Sequence, residues 1–250
     1  MRTESLLRRV APMDHRGLSN SRADRAGERF RTWALLPPDE REAATRGILS
    51  EVSVIAEYRA LHEYPLRKVA IGVRTMLRTE LGRDAPRPAQ RFKRMDRILS
   101  KLLRYPTTRL SQIEDIGGCR AVFESLEDVY ASHDRIVRRW PHARVTDHIA
   151  EPKLDGYRSL HIIEKRDGRL IEVQLRTARQ HRWAEMIEIW GARTGFALKD
   201  DEGPADLLEY FSVAAARLAR EDRGESADDR LEHRMAILRE RVHPHFAERD

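Results

Sequence analysis

The chain has 250 residues, a net charge of +6, 40% apolar content and 35% charged residues, which fits a soluble globular protein of one large domain with extensions. No run approaches the ~18 apolar residues of a membrane span, and the basic N-terminus lacks an apolar core of signal-peptide length. The one cysteine, Cys119, excludes an internal disulfide framework and points to a reducing, cytoplasmic compartment.

Residues 1–30 are polar, Arg-rich and weakly periodic, the pattern of a loose or partner-ordered arm. Leu35-Leu36-Pro37-Pro38-Asp39 reads as a turn into a helix, with Ile48, Val52 and Ile55 at helical spacing as far as His62. Pro65 breaks that pattern, and a second helix is expected from Leu66 to Leu81. Arg83 to Pro88 is a loop, and a third helix is expected from Gln90 to Leu103. Residues 67–110 hold thirteen Lys/Arg and three Asp/Glu, a local net of +10, so the rest of the chain carries −4. Such a block suits a polyanion, whether nucleotide phosphates or RNA.

The pattern then changes. Cys119–Phe123 is strand-like, Leu126–Arg138 helical, and Arg144–Ile149, Ser159–Lys165 and Leu170–Thr177 are strand candidates. Asp167-Gly168 between the last two is a hairpin signal. Two or three helices follow from Ala178, and residues 201–250 are acidic, with thirteen carboxylates against eight arginines. Helices, a small mixed sheet of about five strands, then helices indicate α+β. The expected divisions are a flexible basic arm at 1–35, N-terminal helices at 36–85, a core at 86–200 and C-terminal helices at 201–250.

Four clusters carry chemistry. Arg91, Lys93, Arg94, Arg97 and Lys101 fall on the third helix, where gathered cations call for compensating anions. Glu114-Asp115-Ile116-Gly117-Gly118-Cys119-Arg120 enters a strand, with Asp115 suited to a hard metal and the glycines to close backbone approach. Arg120 can contact phosphate or stack on an adenine face. Lys153, Tyr157, Arg158 and His161 share one loop–strand unit, offering a stacking ring and cations. Strand alternation puts Glu172, Gln174 and Arg176 on one face, and Glu172 can share a metal with Asp115 or act as a base on a hydroxyl.

R-x-K at Arg91–Lys93, DIGGCR at Asp115–Arg120, K-x-x-GYRSLH at Lys153–His161 and EVQLRT at Glu172–Thr177, in that order, resemble the synthetase domain of the RelA/SpoT alarmone family. The resemblance spans about Arg91 to Glu185. It implies a nucleotidyltransferase-like synthetase core and a pyrophosphokinase that uses ATP and magnesium. On that resemblance Arg91 and Arg120 sandwich the adenine of ATP, and Lys93 and Lys101 hold its phosphates. Asp115 and Glu172 bind Mg2+, with Glu172 also the candidate base. Tyr157 stacks on the acceptor base, and Lys153, Arg158, His161 and Gln174 line its pocket.

Arg97 stands where the family usually has serine, which changes the ATP phosphate contacts there. His133-Asp134 is a lone HD on a helix surface. The residues before Arg91 lack the metal-binding set of the family's hydrolase, so alarmone hydrolysis is not expected, nor is the long regulatory C-terminus of ribosome-associated members.

Arg59-x-x-His62-x-x-Pro65-Leu66 and Gln180-His181-Arg182-Trp183-Ala184 resemble elements of the toxic branch of small synthetases, some of which modify the 3′-terminal adenosine of tRNA. Both segments also serve as helix packing. Together with the basic block they favour a tRNA acceptor end and a neutralising antitoxin partner. GDP/GTP pyrophosphorylation follows closely, then adenosine alarmones. A catalytically inactive RNA- or nucleotide-binding module ranks last, because both carboxylates are present.

Overall fold

A computed structural model describes residues 18–200 and 202–247. The first half of the expected arm, and with it the signal-peptide reading, lies outside the described residues. Its second half is not loose. Asn20–Ala34 forms helix α1, capped by the Ser19 side chain, which accepts from Arg22 N at 3.2 Å. Ala23, Ala26, Gly27 and Phe30 follow i, i+3, i+4, i+7 spacing and are buried. The stripe is weak in hydropathy because three of its four members are small, and Gly27 packs directly on Leu102 and Leu110. Asp24 accepts from both Ser111 N and Ser111 Oγ, at 2.8 and 2.9 Å, and Arg31 donates to the carbonyls of Leu102 and Thr108.

The expected helix to His62 is two: α2 (Pro38–Ala43) and α3 (Thr45–Ala60). Helix α4 runs Glu63–Leu81 and takes Pro65 into its first turn instead of stopping at it. The first N–H groups of a helix have no intrahelical acceptor, so the missing donor of Pro65 costs nothing there. Ala89–Phe92 is strand β1, and α5 begins only at Met95, running to Arg104. Arg91 and Lys93 therefore lie outside the helix expected to carry them. Lys93 N donates to Ile116 O at 2.9 Å, and this non-local bond is invisible to helical periodicity.

Strand β2 (Gly117–Phe123), helix α6 (Leu126–Arg139), β3 (Arg144–Asp147), β4 (Leu160–Arg166) and β5 (Arg169–Thr177) follow. Asp167 (φ 49°) and Gly168 (φ 77°) both take the left-handed conformation that a two-residue hairpin demands between β4 and β5. The five strands form a mixed sheet in the order β1-β2-β5-β4-β3. Helices α7 (Ala178–Thr194), α8 (Ala205–Asp222) and α9 (Asp229–Ala247) complete the α+β fold.

The chain resolves into two compact units. Of the described residues, one holds 18–73, 88–119 and 163–173; the other holds 74–87, 120–162, 174–200 and 202–247. In the first, α1, α3, α5 and the Leu110–Ile116 segment close a core around Phe30, Ile55, Tyr58 and Leu99. In the second, α7, α8 and α9 close a core around Trp183, Leu207 and Phe211. Among the described residues, no helix is long and apolar enough to cross a membrane.

Candidate active site

In the first unit, the chemistry gathers on Asp115. Lys93 Nζ donates to Asp115 Oδ2 at 2.6 Å and Lys101 Nζ to Oδ1 at 3.1 Å. The side chains of Lys93 and Asp115 are only 13% and 25% exposed, so this pair is shielded from screening more than a surface pair. Burial by itself raises the Asp115 carboxyl, but the two ammonium groups outweigh it and hold the carboxyl below its usual range. Arg94, the residue before α5, and Arg97, on its exposed side, pair with Asp96 at 3.4 and 3.9 Å. Four of the five cations expected to await an anion, Lys93, Arg94, Arg97 and Lys101, thus already have carboxylates. Arg91 is exposed on β1.

Glu172 is half-buried on β5, beside Gly118. A Cβ on Gly118 would stand 3.0 Å from the Glu172 carbonyl oxygen and 3.5 Å from its Cβ. A side chain at position 118 would press on the neighbouring strand there. The neighbouring Cys119 is a buried free thiol, pushed up to about 12 by burial and by the charge of Glu172. It is therefore inert as a nucleophile at neutral pH.

Among the described residues no group of three or more His, Cys, Asp or Glu side chains could hold a metal. Magnesium commonly takes only one or two carboxylates and completes its shell with water and phosphate oxygens. Asp115, kept ionised, and Glu172 supply hard oxygen donors of that kind.

In the second unit the centre is Tyr157. Asp155 is buried and accepts from Tyr157 N at 2.8 Å, shaping the bend that presents the ring. Tyr157 Oη and His161 Nε2 share a hydrogen bond of 2.8 Å, and Lys153 Nζ stands over the tyrosine ring at 5.2 Å. His148 packs edge-on against both Tyr157 and His161, with centroids at 6.0 and 5.2 Å. No sequence signal had marked His148. Arg120 Nε donates to Gln174 Oε1 at 3.4 Å across neighbouring strands.

Arg158 is held by backbone carbonyls. Its Nη1 donates to the carbonyls of Gly156 and Ala215, at 3.1 and 3.2 Å, tying the Tyr157 loop to α8. Gly156 adopts φ +86°, and a Cβ there would fall 2.5 Å from Ala215 Cβ. Arg176, on the same strand face as Glu172 and Gln174, is buried and donates from Nη2 to His181 Nδ1 at 2.8 Å. Burial, and after it the nearby Arg120 charge, lower Arg176 to about 10. His181 is held below its usual value by burial and by Arg176, consistent with its acting as an acceptor. The Gln180–Ala184 segment pointed to His181 and Trp183; Trp183 is core, its Nε1 donating to Phe211 O at 2.9 Å.

The family description "Region found in RelA / SpoT proteins" matches residues 90–191. Residues 90–191 belong to the RelA/SpoT family. This RelA/SpoT region includes every site residue named above from Arg91 to His181. The chain is 41% identical over 98 residues to "Probable GTP diphosphokinase RSH3, chloroplastic" of Oryza sativa subsp. japonica, a match covering 38% of this chain and 14% of that protein. The chain thus spans about a seventh of the length of this curated relative. Among solved structures it is similar to small alarmone synthetase 2 of Bacillus subtilis, with TM-score 0.53 and 22% identity over 68% of this chain and 94% of that one. It is also similar to small alarmone synthetase 1 of the same organism, solved bound to its product pppGpp. That match has TM-score 0.54 and 20% identity, covering 72% of this chain and 94% of the other. These likenesses establish the synthetase fold.

Proposed function

We propose that this RelA/SpoT protein is an ATP-dependent pyrophosphokinase whose acceptor is the ribose 3′-hydroxyl of a guanine nucleotide. The observation that carries the reading is the pair of lysines on Asp115. Two ammonium groups held ready on one carboxylate can transfer to a triphosphate when ATP arrives, releasing the carboxylate for a metal. Arg91, Lys93, Lys101 and Arg120 serve ATP. Asp115 and Glu172 are the residues that hold Mg2+, which when bound supplies charge neutralisation on the phosphates. The 3′-oxygen attacks the β-phosphorus as the bond to the α-phosphate oxygen breaks, AMP leaves, and Glu172 takes the hydroxyl proton. No covalent enzyme intermediate is required; positioning and charge do the work.

The proposed acceptor platform is the Tyr157 ring, which with Lys153, His148 and His161 around it suits a purine base and its phosphates. The guanine assignment draws on the names of the relatives, a GTP diphosphokinase and a synthetase holding pppGpp. Gln174 and His161 offer hydrogen bonds to the acceptor, and Arg158 acts by holding the loop.

A tRNA acceptor, with its antitoxin partner, is the second reading. It is favoured by the exposed cations of the 67–110 block, among them Arg74, Arg78, Arg83, Arg87 and Arg104, which a tRNA acceptor stem can engage. The deciding assay supplies ATP labelled at the γ-phosphate with GDP, GTP, ADP, ATP or bulk tRNA. Label in GDP or GTP is the expected result, and label confined to tRNA transfers the assignment to the second reading. A Glu172→Gln protein that retains full transfer overturns the base assignment, since general-base catalysis contributes about 10²–10⁴-fold.

A further inference from the structure

Lys93 is fixed on both sides of its backbone. Its N–H is committed to Ile116 O at 2.9 Å, and its carbonyl accepts from Arg59 Nε at 2.7 Å. The Arg59 guanidinium also lies over the Phe92 ring, 5.1 Å from its centroid. Arg59 thus holds two consecutive residues, the last of β1 and the one after it. Three residues further on, His62 backs the other half of the same arrangement. It is buried and seated by an Nδ1 contact to Tyr58 O at 2.9 Å, and its Cβ lies 3.2 Å from where a Gly117 Cβ would stand. One end of α3 and the turn after it therefore brace both the segment carrying Lys93 and the segment leaving Asp115.

We infer that Arg59 is a positioning residue for the donor site, seating Lys93 on Asp115 by gripping the Lys93 carbonyl and the Phe92 ring. Arg59 grips the backbone carbonyl of Lys93, not the ammonium assigned to the nucleotide. Its effect passes through Lys93, whose only remaining freedom is the side chain that ends at Asp115. Burial lowers the Arg59 guanidinium from its usual value, which agrees with a cation committed to a carbonyl and an aromatic face, away from bulk water. An ångström of drift at a phosphate-binding ammonium is enough to cost on the order of 10²-fold in rate, so this brace matters to function more than its single bond matters to stability.

The inference rests on the donor assignment above, and the experiment separates the two. Arg59→Ala and Arg59→Lys proteins are compared with wild type in three measurements. These are KM for ATP and for the acceptor, affinity for the non-hydrolysable analogue α,β-methylene ATP, and amide hydrogen exchange at Lys93. The expected result for Arg59→Ala is about a tenfold rise in KM for ATP and in the dissociation constant of the analogue. KM for the acceptor stays unchanged, and exchange quickens at Lys93 but not at core amides such as Val52. Arg59→Lys, which keeps the charge but not the directed Nε–H, recovers part of each effect. Unchanged ATP affinity with unchanged Lys93 exchange in Arg59→Ala overturns the inference. If wild type transfers no pyrophosphate and binds no analogue, the functional reading fails, while exchange at Lys93 still decides whether Arg59 holds that segment.

Discussion

The Lys93 ammonium stands 2.6 Å from Asp115 Oδ2, and that contact joins residues 22 positions apart into one charged unit. Asp115→Asn leaves Lys93 and Lys101 without their carboxylate and removes a proposed magnesium ligand. Pyrophosphate transfer is expected to fall at least about 100-fold. The carboxyl is depressed in the folded state, so its stabilising contribution is present at neutral pH and fades as pH falls through the folded value. Urea unfolding of wild type and Asp115→Asn should show a gap at pH 7 that closes under strong acid. A gap that persists unchanged at low pH would show that the ion pairs are not its source.

His62 also costs stability on acidification, in a different pH window and for a different reason. Burial leads the causes that lower it to about 4 from 6.5, so the folded protein holds it neutral while the unfolded chain takes up a proton below pH 6.5. Stability is therefore lost on acidification between about pH 6.5 and 4, at up to about 1.4 kcal/mol per pH unit. His62→Gln, compared with wild type by denaturant unfolding across that window, should lack this slope. Equal slopes would assign the titration elsewhere.

Tyr157 presents its ring through the Asp155 bend and shares its hydroxyl with His161. Tyr157→Ala should raise KM for the acceptor by roughly 5- to 150-fold, the worth of one base stack of about 1–3 kcal/mol, with KM for ATP unchanged. Tyr157→Phe, retaining the ring, should lose far less. Steady-state kinetics with each substrate varied in turn separates these outcomes, and an unaltered acceptor KM in Tyr157→Ala removes the stacking assignment.

Gly156 is required twice, for its φ of +86° and for the 2.5 Å that would separate its Cβ from Ala215 Cβ. Gly156→Ala is expected to cost about 2–4 kcal/mol from backbone and packing strain together. Adding Ala215→Gly should relieve the clash but not the backbone cost. A thermal-denaturation cycle over the two single variants and the double variant measures that coupling.

Much of this was legible in the chain. The Asp167-Gly168 turn, the strands Cys119–Phe123 and Leu170–Thr177 and the helix from Leu126 have local causes: turn chemistry, period-two burial and an N-cap. Their observed forms match closely. The α1 helix was misread because its stripe of Ala23, Ala26 and Gly27 is small rather than strongly apolar, so a hydropathy pattern barely registers it. Gln90–Phe92 was misread for a different reason. Its residues suit a helix start, and pairing with β2, remote in sequence, makes them a strand.

The site divides along the same line. The types and order of Arg91, Lys93, Asp115, Tyr157, His161 and Glu172 were determined by the sequence itself, since charge, aromaticity and spacing are local properties that survive without coordinates. Which lysine meets which carboxylate, that Arg158 is committed to backbone carbonyls, that Arg176 is buried on His181 and that Arg59 grips Lys93 were decided only by the tertiary structure. Each of these is a choice among several equivalent donors or acceptors. Only the burial and pairing of strands and helices far apart in the chain removes the alternatives.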